Sequence, residues 1–157
     1  MNGHGAVVGP AETVDDYDIA FDVVSRTNQC AAADLVVRPG CRAWGVLYEI
    51  PDEFIRGKRG DGENTLAEIE GPNYEERAIQ VRQPGGNEIG AVTFLVRPDK
   101  RKENLFTGAW YVSWIVYGLR ERGVPEEYIQ HVLDVAIETN KRAEPVALEQ
   151  IGLIEKL

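Results

Sequence analysis

The chain has 157 residues, 43% of them apolar, which suits one domain able to bury a core without disulfides or structural metal. Its 26 Asp and Glu outnumber 17 Lys and Arg, and the formal charge of -9 opposes any partner held mainly through phosphates, which argues against nucleic acid. No apolar run reaches the length of a membrane span, and Met1-Asn2-Gly3-His4-Gly5 lacks the basic and apolar regions of a signal peptide, so a cytoplasmic protein with no membrane partner is expected.

In chain order, Tyr17 to Val24 alternates in part between apolar and polar side chains, as a strand with one buried face does. Ala31 to Val37 and Arg42 to Ile50 read as two strands paired around the turn Arg38-Pro39-Gly40, the second central in its sheet. Cys30 and Cys41, the only cysteines, then sit at different distances from that turn and are expected neither to face each other nor to bind metal. Pro51-Asp52-Glu53 starts a short helix with Asp52 as N-cap, and residues 56–62 form a charged, glycine-rich loop. Thr65 to Glu70 is a helical turn capped by Thr65 or Asn64 and stopped by Gly71-Pro72. Glu76 to Arg82 and Glu88 to Arg97 form the clearest hairpin, joined by Gln83-Pro84-Gly85-Gly86-Asn87.

Beyond the charged stretch Arg97 to Glu103 the period changes. Trp110, Tyr111, Trp114, Ile115 and Leu119 recur at helical spacing, which predicts a helix from near Thr107 with these residues on its apolar face. Gly123-Val124-Pro125 ends it and opens a second helix whose core face is Tyr128, Ile129, Val132, Leu133, Ala136 and Ile137. The last dozen residues are weakly helical. Strands followed by helices, without repeats or βαβ alternation, indicate an α+β fold: a mostly antiparallel sheet or small barrel with helices outside, spanning residues 1–157 as one domain.

Glu70 is the candidate chemical residue. A carboxylate in the last turn of a helix faces the negative end of the helix dipole, which costs free energy, so helix stability does not explain it. Burial there would raise its pKa toward the range where a general base works best. The plainer reading makes it a surface turn residue like Glu68, Glu75 and Glu76.

Arg42-Ala43-Trp44-Gly45-Val46-Leu47-Tyr48-Glu49-Ile50, then Leu66-Ala67-Glu68-Ile69-Glu70-Gly71 and Tyr74, resemble in order the motifs of the γ-glutamylcyclotransferase-like, or AIG2-like, family. Val8-Gly9-Pro10-Ala11 leading to Tyr17-Asp18-Ile19-Ala20-Phe21 agrees, as does Tyr111 leading to Gly118 through Tyr128. The resemblance implies a small, mostly antiparallel β-barrel with peripheral helices. It also implies an enzyme that cyclises a γ-glutamyl amine, amide or peptide to 5-oxoproline, with Glu70 as general acid and base. Ring closure within one molecule needs folding of the substrate, an oxyanion donor and proton transfer, so neither metal nor organic cofactor is expected. Tyr111 matches a family tyrosine near the cavity and Tyr48 lies on the strand that would line it, which makes both candidates for substrate contact; Trp44 and Tyr48 share a face.

Family members open with a strand and a Tyr-Gly-Ser-Asn type loop that binds the substrate carboxylate. This sequence lacks that pattern, and no role is carried to Asn2-Gly3-His4-Gly5. Ala67 replaces the aspartate of the Leu-Asp-x-x-Glu-Gly pattern, which removes one source of a helix cap. His4 and His131 have no carboxylate or cysteine at ligand spacing, so no metal site is expected, and the basic clusters Arg56-Gly57-Lys58-Arg59 and Lys100-Arg101-Lys102 read as solvated loop charge. The alternative functions are a non-catalytic domain of the same fold that binds a small molecule or protein, and a structural subunit forming a homo-oligomer through an open barrel edge.

Overall fold

A computed structural model describes residues 5–25, 27, 29–57, 60 and 62–157. Six strands precede three longer helices: β1 (Ala6–Thr13), β2 (Tyr17–Val24), β3 (Ala31–Val37), β4 (Trp44–Glu49), the short α1 (Asp52–Ile55) and α2 (Leu66–Glu70), β5 (Tyr74–Arg82), β6 (Glu88–Val96), α3 (Ala109–Glu121), α4 (Glu126–Arg142) and α5 (Leu148–Ile154). The fold is the expected α+β type, and the described strands form two antiparallel sheets, β4-β1-β5-β6 and β2-β3.

The β5–β6 hairpin pairs without interruption from Arg82 and Glu88 at the turn to Tyr74 and Val96, with Gly85 at φ +65 supplying the left-handed turn residue. The other expected pairing is overturned. Arg38-Pro39-Gly40 does turn, but it is pinned to the β1–β2 connection, where Asp16 takes the Arg38 and Gly40 N–H groups and Asp18 binds the Arg38 guanidinium at 2.6 Å. The chain therefore leaves one sheet and enters the other: β3 pairs with β2, and β4 pairs with β1 as an edge strand rather than a central one. The helix after Pro51 begins at Asp52, so its N-cap is Pro51 rather than Asp52, with no side-chain capping bond.

β1 is a strand that alternation did not disclose. Gly9, at φ +140, sits where the β1–β4 register shifts, and Pro10 lies where β1 is laddered on one side only, since β1 meets β5 just at Glu12 and Thr13.

The core lies where β2, with Tyr17, Ile19, Phe21 and Val23 buried, meets α3 and α4. The face read for α4 holds, with Tyr128, Ile129, Val132, Leu133 and Ala136 buried; Ile129 is fully enclosed, worth about 1.5–3 kcal/mol of hydrophobic transfer. The face read for α3 holds in part, with Leu119 buried and Tyr111 and Ile115 packed against the core, but the buried stripe is rotated away from the tryptophans. Its buried residues are Ala109, Val112, Val116 and Leu119, whereas Trp110, Trp114 and Tyr117 face outward, Trp114 at 68% exposure with its ring edge-on to Trp110 at 4.9 Å. Apolar side chains surround this helix, so spacing alone did not say which stripe turns inward.

Cys30 is buried, Cys41 is half-buried, and both are free thiols. His131 does have a carboxylate partner, brought by the fold from β2: its Nε2 lies 2.7 Å from Asp18 Oδ1. Among the described residues no helix is long and apolar enough to cross a membrane, and no three His, Cys, Asp or Glu side chains converge as a metal site.

Candidate active site

α2 is only five residues long and depends on its cap. Thr65, 1% exposed, accepts the Glu68 N–H through its hydroxyl, while the Glu68 carboxylate accepts the Thr65 N–H at 2.8 Å, forming a closed capping box. The alanine at position 67 therefore leaves the helix capped. At the other end Gly71 takes φ +73 and donates its N–H to the Ala67 carbonyl, a conformation that favours glycine. Between cap and stop, Glu70 is held at the negative end of the helix. Its side chain is exposed, and among the described residues its carboxylate makes no hydrogen bond or ion pair, yet enough protein surrounds the carboxyl to push its pKa above the usual glutamate range.

Two tyrosines share the electrostatic field of Glu70. Tyr74 opens β5 three residues beyond the glycine stop, and Tyr111 stands in the first turn of α3. Both reach the edge of β3 that faces away from β2. There the Ala33 N–H donates to Tyr111 Oη at 3.0 Å, and the Tyr74 hydroxyl donates to the Ala33 carbonyl at 3.4 Å. Burial raises both phenol pKa values, and nearby Glu70 raises them further, so both rings stay protonated at neutral pH.

The pose of Tyr111 is set from behind. Thr107 donates its N–H to Asn140 Oδ1 at 2.7 Å and receives Asn140 Nδ2 on its carbonyl at 3.0 Å, with both residues fully buried. The Thr107 hydroxyl binds the Ala31 carbonyl, and Gln150 accepts the Ala109 N–H. The start of α3 is thus fastened to β3, α4 and α5 together, and the Phe21 ring packs edge-on to Tyr111 at 6.4 Å.

Beside Tyr74 lies a pair of carboxylates. Asp22 occupies the bulge of β2 between Phe21 and Val23, and Asp34 lies on β3; Arg101 Nε stands 3.5 Å from Asp22 and 3.1 Å from Asp34. Asp34 also accepts the Val96 N–H at 2.8 Å, which ties the small sheet to the end of β6. Asp22 Oδ1 is buried with no partner among the described residues. Burial, then the Asp34 charge, pushes the Asp22 pKa up to about 6, with Arg101 pulling it back, while Asp34 is raised by burial.

Of the residues singled out from sequence, Glu70 lies near enough to Tyr111 for its charge to raise the phenol pKa. Tyr48 does not join them: it is exposed on β4 and lines a separate groove of about 730 Å³ with Ile55, Leu66 and Val92. Trp44 is half-buried and packs against the core. Asn2, Gly3 and His4, and Lys58 and Arg59 of the first basic cluster, lie outside the described residues. Sequence reasoning did not assign Tyr74, the Ala33 peptide or the Asp22–Asp34 pair. The signal for the pair is present as one acid inside each of two apolar runs, Phe21-Asp22-Val23 and Ala33-Asp34-Leu35.

With this geometry in place, a family model described as the AIG2-like family matches residues 42–132, a stretch that includes Glu70, Tyr74 and Tyr111. The fold is similar to the crystal structure of an uncharacterized protein from Homo sapiens, with TM-score 0.72 and 25% identity over 98% of this chain and 87% of that one. It is also similar to a solved gamma-glutamyl cyclotransferase, with TM-score 0.68 and 24% identity over 98% of this chain and 86% of that one. No curated protein matches the sequence.

Proposed function

The chain belongs to the AIG2-like family, and from that premise we propose that it cyclises a γ-glutamyl amine, amide or peptide to 5-oxoproline and releases the amine, with Glu70 as acid and base. The observation that carries this reading is the Glu70 carboxylate, bonded to no described partner, raised in pKa and set within the field of two protonated phenols.

In the proposed reaction the substrate's α-ammonium gives one proton to solvent, and Glu70 takes a second from the same nitrogen as it attacks the γ-carbonyl carbon of the same molecule. A tetrahedral oxyanion forms. As the C–N bond to the amine breaks, Glu70 returns its proton to the departing nitrogen, so one carboxylate serves both transfers. A raised pKa suits this double duty, because the group must accept a proton readily and release it within the same turnover. Holding amine and carbonyl in contact lowers the barrier by removing orientational freedom before the chemical step, and a phenol O–H near the carbonyl would offset charge developing on its oxygen.

The test measures 5-oxoproline release from a panel of γ-glutamyl amines and dipeptides by the chain and by Glu70→Gln, which keeps the shape of the side chain and removes its basicity. Release by the parent alone is expected. Equal release by both, or none by the parent when circular dichroism shows it folded, would sink the proposal.

A further inference from the structure

The peptide group of Ala33 treats two chemically identical side chains in opposite ways. A phenol carries one proton and can accept through its oxygen. Tyr74 spends its proton on the Ala33 carbonyl, so toward a ligand its oxygen offers only lone pairs. Tyr111 receives the Ala33 N–H on its oxygen and donates to nothing among the described residues, so its own proton is free. The surrounding charge has the same polarity. Tyr74 stands in the field of Glu70, Asp34 and Asp22, whereas Tyr111 feels Glu70 alone of these carboxylates.

We propose that Ala33 sorts the two phenols by proton direction, so that Tyr74 accepts from the substrate's α-ammonium and Tyr111 donates to the oxygen of the γ-carbonyl. This rests on the cyclisation reading and adds an orientation to it: the amino end of the γ-glutamyl group lies toward β5 and the acidic pair, and its scissile end toward α3. Tyr74 acts on binding because the ammonium is present from the first encounter. Tyr111 acts on rate because the carbonyl oxygen becomes an oxyanion only during ring closure.

The experiment compares Tyr74→Phe and Tyr111→Phe with the parent in steady-state kinetics on a γ-glutamyl amine. Calorimetric titration with 5-oxoproline, which has no ammonium, runs alongside. Tyr74→Phe is expected to raise KM about tenfold or more with kcat nearly kept and 5-oxoproline binding unchanged. Tyr111→Phe is expected to lower kcat about a hundredfold with KM nearly kept. Equal weakening of substrate and 5-oxoproline by Tyr74→Phe, or an exchange of the two kinetic patterns, overturns the sorting while parental turnover leaves the cyclisation standing. A folded parent that neither turns over nor binds overturns the cyclisation and the sorting with it. Should a variant fail to fold, tyrosine labelled at Cζ in the unsubstituted protein reads hydroxyl exchange directly. Slower exchange at Tyr74 than at Tyr111 supports the sorting, and the reverse order refutes it.

Discussion

Replacing Asp22 with asparagine is expected to stabilise the protein at neutral pH and to change it little in acid. Asp22 shares Arg101 with Asp34, has one oxygen buried without a hydrogen-bond partner among the described residues, and holds its proton up to about pH 6 against an ordinary 3.8. A raised carboxyl pKa means that the folded chain binds the proton more tightly than the unfolded chain. The contribution of this group is therefore complete below 3.8 and is lost as pH rises through about 6. At about 1.4 kcal/mol for each pH unit, the loss is at most about 3 kcal/mol. Titration shared with Asp34 and partial solvent access, at 20% side-chain exposure, bring the expected value to about 1–3 kcal/mol. Asparagine mimics the protonated acid and can donate to Asp34, while Arg101 keeps its nearer partner. Urea unfolding of both proteins at about pH 4 and about pH 7.5 measures the difference, and the comparison between variant and parent cancels the other carboxylates. A variant less stable than the parent by the same amount at both pH values would refute the reasoning, since Asp22 would then be a net favourable ion-pair partner of Arg101.

Asn140→Ala removes both bonds to Thr107 in a fully buried setting and should cost about 3 kcal/mol in urea unfolding, with a loss under about 1 kcal/mol counting against the clamp. Gly71→Ala meets no atom within 4 Å, so its expected cost of about 1–3 kcal/mol is that of the backbone at φ +73 and ψ -164 alone, and a thermal midpoint equal to the parent's would contradict it. If Glu70 is the base, 5-oxoproline release rises with pH through the Glu70 pKa, and the acid limb of kcat/KM falls above the ordinary 4.5; a midpoint at or below 4.5 would exclude Glu70 as the titrating group.

Local chemistry made part of this molecule legible from its residues. Turn residues announced the β5–β6 hairpin, a clean three-and-four spacing announced α4, and Gly71-Pro72 marked the helix end that carries Glu70. Pairing was harder, because a true turn at Arg38-Pro39-Gly40 says that the chain reverses but not whether its two arms share a sheet. β1 was hidden by Gly9 and Pro10, which interrupt alternation where the strand bulges. The tryptophans of α3 misled because large apolar side chains carry the strongest periodic signal, while the smaller Val112 and Val116 fill the interior. In the candidate site, the position of Glu70 at the negative end of a helix was readable from the Gly71-Pro72 stop. The roles of Tyr74 and Ala33 depend on contacts between residues 41 and 78 positions apart, which no local pattern carries.

The outer edge of β3 has a consequence for solubility. A strand edge with free N–H and C=O groups is a template on which another chain can add and a sheet can grow. In the first half of β3 those groups are already occupied: Ala31 binds Phe106 and Thr107, and Ala33 binds Tyr111 and Tyr74. The two phenols that face the candidate site therefore also stand guard over the small sheet. Loss of either hydroxyl would uncover part of an edge with which neighbouring copies of the chain can pair.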